Sequence, residues 1–317
     1  MTVEELKIKV TDGGEISREE ALFLAEADLE ELCREADEIR RHYFGQDFDL
    51  CAVISARSGR CSENCRYCAQ STCAQVPVER HGLIGTEELL KDASLRDSQG
   101  IRHYCIVSSG RRASDRDLDS LCESIRSVHE KTGICVCTSL GLLDEAQFGR
   151  LKEAGVVRIH NNLETSARYF PQLCTSHTYE EKIATIRAAR RVGLEVCSGG
   201  IIGVGETMED RIDMALTLRE LDVQSVPVNM LDPVPGTPFG ETPVLPAEEV
   251  RRVIALFRFL LPRQYIRLAA GRDYLEDSGF SCFTSGSNAT ITGDMLTVKG
   301  ISVEEDIQTI KNMGYQL

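Results

Sequence analysis

The chain has 317 residues, 42% of them hydrophobic, which suits one large α/β barrel or two ordinary domains. Its net charge of −14 and pI near 5.0 disfavour a phosphate-binding surface, so nucleic acid is not an expected partner. The chain does not open with basic residues followed by an apolar run, and its apolar runs are too short to cross a bilayer. We therefore expect a cytoplasmic protein with no membrane segment.

The first segment predicts helix. Ser17 is a candidate N-cap followed by acidic residues, and Gly45 is a candidate stop. We expect a helix between these two residues, within an N-terminal helical extension over residues 1–45. A second domain is expected over residues 46–317.

After residue 45, short apolar runs alternate with longer amphipathic stretches. The candidate strands are residues 51–56, 103–109, 134–140, 156–162, 195–204, 225–231, 265–271 and 287–292. The candidate helices are residues 87–98, 114–131, 144–153, 179–192, 208–221, 246–261, roughly 272–279, and 304–313. Eight strand–helix units favour an α/β fold, a (β/α)8 TIM-type barrel with the N-terminal helical extension. An open doubly wound sheet is the rival, but it would usually offer a Gly-rich phosphate turn after the first strand.

Cysteine is abundant, with thirteen residues. In a reducing compartment, clustered thiols are typical of metal ligands or catalytic groups, and an odd count argues against complete disulfide pairing. The turn after the first strand carries a C-x3-C-x2-C array with a tyrosine before the last cysteine: Cys61, Cys65, Tyr67 and Cys68. Because barrel enzymes work at the C-terminal ends of their strands, we expect this array at the catalytic mouth.

Three thiolates can hold three irons of a [4Fe–4S] cluster and leave the fourth iron open to another ligand. The alternative is a structural zinc, with Cys51 or Cys73 as a fourth thiolate. Zinc sites favour paired knuckles separated by a longer spacer, and this array has no second knuckle.

A second set of cysteines lies on the second, third and fifth candidate strands: Cys105, Cys137 and Cys197. If their side chains point inward, they converge below the mouth. A lone buried cysteine ordinarily acts as a small hydrophobic residue. Three cysteines that converge on one interior weaken this interpretation. Arg267 on the seventh strand would bring a guanidinium into the same interior, where it needs an anion such as a sulfide cluster. The rival class is a non-catalytic iron–sulfur or zinc protein used for metal storage or assembly. Such a protein needs no substrate pocket, so interior asparagines and Arg267 argue against it.

Several segments together resemble the biotin synthases, a family of the radical S-adenosylmethionine (SAM) superfamily. In family order, over roughly residues 50–315, they are "CSENCRYCAQS", "EVCSGGIIGVGET", "SVPVNMLDPVPGTP", "YIRLAAGRD" and "SCFTSGSNATITG". The first motif is shared with hydrogenase-maturation and methylornithine-forming relatives, whereas "CSGG" and "VNML" narrow the choice. Another radical SAM reaction, such as hydrogenase cofactor maturation, is the alternative function.

The resemblance implies that Cys61, Cys65 and Cys68 hold a [4Fe–4S] cluster whose open iron binds SAM. Cleavage of the SAM C5′–S bond then gives a 5′-deoxyadenosyl radical. The implied reaction converts dethiobiotin to biotin, with sulfur from an auxiliary iron–sulfur cluster. An electron donor such as flavodoxin or ferredoxin and a homodimeric state are also implied.

For the auxiliary cluster, the resemblance implies a [2Fe–2S] centre on Cys105, Cys137, Cys197 and Arg267. The third strand carries an additional Cys135, which faces the same side as Cys137 on a regular strand. We therefore hypothesise that Cys135 joins Cys105, Cys137 and Cys197 around a cluster of higher nuclearity, such as a four-iron cluster that carries an extra sulfide. The alternative is a buried Cys135 thiol below a [2Fe–2S] centre.

The resemblance also assigns contacts to small molecules. Those expected at SAM are Tyr67, Ser108, Ser109, Glu164, Lys182, Gly203 and Val204. Asn162 and Asn229 are expected at the ureido ring of dethiobiotin, since an amide can both donate and accept, although each could simply form a turn. Lys182 replaces a common arginine and lacks its bidentate fork. For the substrate carboxylate, Lys299 with nearby Thr297 is the hypothesis, and a solvated surface lysine is the alternative.

Overall fold

The structure is a computed structural model and describes residues 1–59, 61–296 and 300–317. It begins with three helices, α1 (Val3–Thr11), α2 (Arg18–Ala25) and α3 (Leu29–Phe44). The Ser17 cap and the Gly45 stop are confirmed. The single helix predicted between them is wrong, because the Asp28 side chain accepts a hydrogen bond from the Glu31 amide (3.0 Å) and caps a new helix.

Parallel strands form a closed barrel, as predicted. They are β1 (Asp49–Arg57), β2 (His103–Ser108), β3 (Cys135–Ser139), β4 (Arg158–His160), β5 (Glu195–Cys197), β6 (Gly200–Ile202), β7 (Ser225–Met230), β8 (Tyr265–Leu268) and β9 (Ala289–Ile291). Strand β1 pairs with both β2 and β9, which closes the sheet. Strands β5 and β6 both pair with β7 and share the fifth of eight positions, so the (β/α)8 fold is confirmed.

The fifth strand is interrupted because two glycines lie directly against neighbouring backbone. A Cβ atom on Gly199 would stand 2.0 Å from the Pro227 carbonyl oxygen, and one on Gly200 would stand 2.4 Å from that of Glu164. Glu164 has a left-handed φ of 73° and accepts a hydrogen bond from the Ile201 amide (2.8 Å). The "CSGG" segment therefore brings the ends of the fourth and fifth strands together.

The outer layer consists of α4 (Thr86–Ser98), α5 (Asp115–Lys131), α6 (Glu145–Glu153), the short α7 (Phe170–Leu173), α8 (Tyr179–Arg191), α9 (Met208–Glu220), α10 (Ala247–Leu260) and α11 (Val303–Asn312). The helix predicted over 272–279 is wrong. One 3-10 turn, Arg272–Tyr274, stands there instead, and a second, Phe280–Thr284, follows it, because Gly271 and Gly279 have left-handed φ values of 86° and 77°.

The N-terminal helices pack on the outside of the barrel. Helix α3 lies along α10, and α2 contacts α9 and α10. The predicted boundary between residues 45 and 46 follows the end of α3, and we keep this division as a proposal. Among the described residues, no helix combines the length and apolar character needed to cross a membrane.

A buried polar network lies at the N-terminal end of the barrel, around the fully buried Asp49. Its carboxylate is hydrogen-bonded to His103 Nδ1 (2.8 Å) and ion-paired with Arg267, and Arg158 Nη1 lies 3.9 Å away. Arg158 is also paired with Glu195 (2.7 Å). Burial alone would raise the pKa of Asp49, but Arg267 and His103 hold it below its ordinary value. We call these five residues the polar floor.

Candidate active site

A cavity of about 330 Å³ occupies the C-terminal half of the barrel. Its walls come from inward-facing strand residues, and Arg158 and Arg267 of the polar floor also line it. Tyr67 and Cys68, from the loop after β1, and Met295 and Leu296, from the loop after β9, line it as well. One chamber thus extends from the cysteine loop down to the polar floor.

The C-x3-C-x2-C loop is shaped by its own backbone. The Cys61 amide donates to the Gln70 carbonyl (2.8 Å), and the Cys68 amide donates to that of Cys65 (3.2 Å). All three cysteines are free thiols of intermediate exposure. Of the three, Cys68 lines the cavity.

The segment after α7 holds this loop in place. Asn64 Oδ1 accepts from the amides of Thr175 and Ser176, at 3.0 Å each. Glu63 Oε2 accepts from Ser176 Oγ (2.8 Å) and lies 2.6 Å from His177 Nδ1. Two consecutive loop residues are therefore fixed to one strip of chain, which we call the clamp (Leu173–His177).

Below the loop, four thiols of the described residues line the same cavity: Cys51, Cys105, Cys137 and Cys197. Cys105 and Cys137 are direct partners across β2 and β3, and Cys51 packs against both. Cys197 Sγ lies 3.5 Å from His160 Nδ1. The predicted convergence of the three strand cysteines is thus seen, and it includes a fourth thiol.

The four cavity thiols differ in pKa because their surroundings differ. Burial raises the pKa of Cys51 to about 12 and raises those of Cys105 and Cys137. Burial also acts to raise the pKa of Cys197, but the contact with His160 together with the charges of Arg267 and Arg158 outweighs it and brings the pKa to about 7. Because metals bind thiolates, a metal bound by these cysteines would displace their protons.

The structure puts Cys135 outside the cavity wall. Its strand partner is His103, one layer below the Cys105–Cys137 pair, and the charged groups acting on it include Arg158 and Asp49. Cys135 therefore lies at the level of the polar floor, apart from the four cavity thiols.

Arg267 lines the cavity but is already well paired. Besides its ion pair with Asp49, it donates to the Thr290 carbonyl (2.9 Å) and to Ser225 Oγ (3.3 Å). The anion that a buried guanidinium requires is thus present within the protein.

Both predicted asparagines line the cavity, and backbone groups orient their amides. The Gly199 amide donates to Asn162 Oδ1 (3.0 Å), which leaves the Asn162 Nδ2 group as a donor for a ligand. Asn229 Nδ2 donates to the Gly200 carbonyl (3.1 Å), and its Oδ1 accepts from the Ala270 amide (3.3 Å). The glycine pair thus fixes both side chains.

The residues predicted at SAM are more dispersed. Tyr67 and Glu164 line the cavity, and burial followed by the Glu164 charge raises the pKa of Tyr67. Lys182 Nζ lies 3.9 Å from Glu164 Oε1, behind the wall.

Four others stand outside the wall. Ser108 and Ser109 lie at the C-terminal end of β2, where the Ser109 amide donates to the Arg57 carbonyl (3.1 Å). The amides of Gly203 and Val204 donate to the Glu206 carboxylate (2.9 and 2.8 Å).

Sequence reasoning missed several cavity residues, among them Cys51 as a companion of the strand cysteines, Ser139, Arg158, His160 and Asp232. For His160 a signal existed, because it precedes Asn162 by two positions and so faces the same side of an extended chain. Thr297 and Lys299, predicted at the substrate carboxylate, lie outside the described residues.

The donor atoms fit iron–sulfur chemistry. Thiolate sulfur is the ligand that such clusters use, and the chain offers it both on the mouth loop and within the barrel. Cys73 follows Cys68 by only five residues, so the described residues have no second knuckle separated from this array by the longer spacer of a zinc ribbon.

A parallel barrel with a three-cysteine loop after its first strand defines the radical SAM class. The sequence pattern of the Radical SAM superfamily matches residues 56–218, and that of the Biotin and Thiamin Synthesis associated domain matches residues 227–316. Solved structures share the fold: a methylornithine synthase has a TM-score of 0.85 at 21% identity, covering 98% of this chain and 96% of that one. An [FeFe]-hydrogenase maturase has a TM-score of 0.83 at 17% identity, covering 99% and 74%.

Similarity to individual proteins is much closer. A biotin synthase of Akkermansia muciniphila is 50% identical over 309 residues, covering 98% of this chain and 96% of that protein. A biotin synthase of Brachyspira hyodysenteriae is 46% identical over 317 residues, covering 100% and 95%. The chain belongs to the biotin synthase family, and the resemblance seen in its sequence is confirmed.

Proposed function

We propose that this chain is a biotin synthase that inserts sulfur into dethiobiotin by radical SAM chemistry. Family membership supports the reaction class. The observation that carries the proposal is the single cavity whose wall includes the cysteine loop above and four thiols below. A substrate held between them would have a radical source on one side and a sulfur source on the other.

Cys61, Cys65 and Cys68 are the proposed ligands of the [4Fe–4S] cluster. When bound, this cluster and SAM supply a 5′-deoxyadenosyl radical that can remove hydrogen from an unactivated carbon. The clamp keeps the loop over the cavity through Glu63 and Asn64.

Glu164, which lines the cavity, is proposed to hold the SAM ribose hydroxyls, and Tyr67 packs beside it. Lys182 would supply positive charge for the SAM carboxylate from behind Glu164. Ser108, Ser109, Gly203 and Val204 are proposed as contacts from the surrounding strand ends.

Asn162 and Asn229 are proposed to bind the ureido ring of dethiobiotin, which both donates and accepts hydrogen bonds. Because their amides are held by the backbone around Gly199 and Gly200, they can meet the ring without reorganisation. The buried walls exclude water from the reacting carbon atoms.

For the auxiliary cluster, we propose Cys105, Cys137 and Cys197 as ligands, with Cys51 as a fourth thiolate. Cys51 is preferred to the earlier candidate Cys135 because Cys51 lines the cavity and packs against two of the other three thiols. Four thiolates suit a four-iron cluster better than a [2Fe–2S] centre with an arginine ligand. Arg267 would then act as a positive charge beside the cluster, held by Asp49.

We further propose that the protein works in the cytoplasm as a homodimer and receives electrons from a carrier such as flavodoxin or ferredoxin. These proposals rest on the family resemblance. A hydrogenase-maturase-like activity is not proposed, since the likeness to the maturase at 17% identity concerns the fold alone.

The test is anaerobic incubation of the iron- and sulfide-loaded protein with SAM, a reductant and dethiobiotin. Both 5′-deoxyadenosine and biotin should appear, and Cys65→Ala, which removes a cluster ligand, should form neither. Production of 5′-deoxyadenosine without biotin in the loaded wild-type protein would count against dethiobiotin as the substrate.

A further inference from the structure

A second thiol stands next to a proposed cluster ligand. Cys65 Sγ and Cys174 Sγ are 3.8 Å apart, and Cys174 Sγ is 3.3 Å from His177 Nδ1. The ligand atoms of these three residues all lie within 4.8 Å of one another. Cys174 and His177 belong to the clamp, and neither is a proposed cluster ligand or small-molecule contact.

The Cys65–Cys174 and Cys174–His177 separations are close to those between two ligands of one tetrahedral metal ion. Two sulfurs bound to the same zinc at about 2.3 Å are about 3.8 Å apart, and a sulfur and an imidazole nitrogen are about 3.6 Å apart. Cysteines of a [4Fe–4S] cluster each bind a different iron, so their sulfurs lie further apart. A disulfide would need about 2.05 Å.

We propose that Cys65, Cys174 and His177 form a mononuclear site for a thiophilic divalent cation, Zn²⁺ or Fe²⁺, in the cluster-free chain. The site takes two thiolates and one imidazole nitrogen and leaves a fourth position for a solvent ligand. Because it uses Cys65, the cation and the proposed SAM cluster exclude each other. Only this last point rests on the proposed function.

The surroundings can accept a cation. Binding takes His177 Nδ1 away from Glu63, whose Oε2 keeps Ser176 Oγ (2.8 Å) and Arg111 Nη1 (3.3 Å) as partners. The Glu63 carboxylate therefore stays paired at a buried position. Its negative charge also compensates the positive charge of the cation nearby.

A route from solvent reaches the site. A small cavity of about 180 Å³ is lined by Cys174 and by its neighbour in the clamp, Thr175. The exposed Cys73 lines the same cavity, with its Sγ 3.3 Å from the Asn64 carbonyl oxygen. This route is separate from the large cavity, whose wall does not include Cys174.

The consequence concerns cluster loading. A zinc ion at this site keeps the Cys65 sulfur beside Cys174, at a spacing that a cluster cannot use. Zinc should therefore slow assembly of the cluster on the mouth loop, and removal of Cys174 should relieve this inhibition.

The test is an anaerobic Co²⁺ titration of the cluster-free full-length chain carrying Cys105→Ser and Cys137→Ser, which disable the barrel thiols. We expect one Co²⁺ per chain, with the thiolate charge-transfer and visible bands of tetrahedral Co²⁺. Adding Cys174→Ser should weaken Co²⁺ binding at least tenfold. Adding Cys61→Ser or Cys73→Ser should leave it unchanged.

Cys61→Ser is the deciding control, because chelation by the three-cysteine loop alone would need Cys61. Loss of the Co²⁺ bands in Cys61→Ser, or unchanged affinity in Cys174→Ser with native circular dichroism, would overturn the proposal. With wild-type barrel thiols, one equivalent of Zn²⁺ should slow cluster reconstitution, and less so in Cys174→Ser. None of these readouts uses biotin formation, so they can succeed even where the proposed reaction fails.

Discussion

Two neighbouring inward-facing positions on β1 set the charge and the ligands of the barrel interior. Asp49 takes the Arg267 guanidinium into the polar floor, and Cys51, two residues on, adds a thiol to the cavity above. Because a buried carboxylate already compensates the positive charge of Arg267, this arginine is less expected to be an iron ligand. We therefore expect a change at Cys51 to affect the auxiliary cluster strongly, although Cys51 lies outside the main sequence motifs.

We expect Cys51→Ser to lose the auxiliary cluster while keeping the cluster on the mouth loop. Two four-iron clusters give about eight irons per chain, and the variant should fall towards about four. Cys135→Ser on β3 is the matched control, since it removes a thiol outside the cavity wall, and the iron content should remain near eight. Iron and sulfide analysis with Mössbauer spectra measures both, and wild-type spectra in Cys51→Ser would remove Cys51 from the ligands.

Asn162→Ala should raise the KM for dethiobiotin by roughly tenfold or more, since it removes an oriented amide from the substrate wall. It also leaves the Gly199 amide without its 3.0 Å acceptor, at a cost of about 1–3 kcal/mol in stability. Asn161→Ala is the control, because Asn161 is also buried but lies outside the cavity wall. Steady-state kinetics and thermal melts separate the two effects, and equal KM values in both variants would contradict the assignment.

At the scale of elements, the break between β5 and β6 depends on close backbone packing. Gly199→Ala would force a Cβ to within 2.0 Å of the Pro227 carbonyl oxygen, so β7 or the fifth strand must shift. We expect a clear fall in thermal stability, by more than about 2 kcal/mol, since a well-packed interior tolerates overpacking poorly.

Gly149→Ala is the control for this change. Gly149 lies inside α6 with open space around its Cβ position, so alanine should stabilise that helix by about 0.5–1 kcal/mol. Denaturant titrations of the two variants should move in opposite directions. A Gly199→Ala protein as stable as wild type would show that the fifth strand is less constrained than its contacts indicate.

The positions of the strands could be read from the sequence because each is a short, buried run between amphipathic stretches. Strand alternation also indicates that Cys135 and Cys137 share a face. It does not give their depth, which depends on the stagger between strands, and this stagger puts Cys135 beside His103. Cys51 was missed as a cavity ligand because the predicted strand, residues 51–56, carries small or apolar residues on both faces and omits the charged ends of β1, Asp49 and Arg57.

Where prediction failed among the helices, single residues decided the outcome. Asp28 caps a new helix inside an otherwise continuous helical pattern, and Gly271 and Gly279 turn the 272–279 stretch away from α-helix. The clamp was not foreseen either, because its contacts join Glu63 and Asn64 to residues more than 100 positions away. Local patterns carry no information about such contacts.

At the scale of the whole molecule, the polar floor is expected to be a major source of stability. Asp49→Asn leaves Arg267 and Arg158 without their shared anion in a buried site, which should cost about 3–5 kcal/mol. Arg18→Ala is the control, since it removes exposed ion pairs with Glu209 and Asp213 and should have little effect. Urea unfolding of the cluster-free chains would test this, and similar midpoints for both variants would contradict it.

The polar floor also affects the order in which substrates bind and products leave during turnover. Asp49 and its partners close the N-terminal end of the cavity. Ligands must therefore enter and leave through the end that carries the cysteine loop. Under the proposed function, dethiobiotin lies deeper than SAM, so it must enter first, and biotin must wait for 5′-deoxyadenosine and methionine to depart. Stopped-flow mixing should then show that preloading SAM delays dethiobiotin binding, whereas equal binding rates with and without SAM would imply a second entrance.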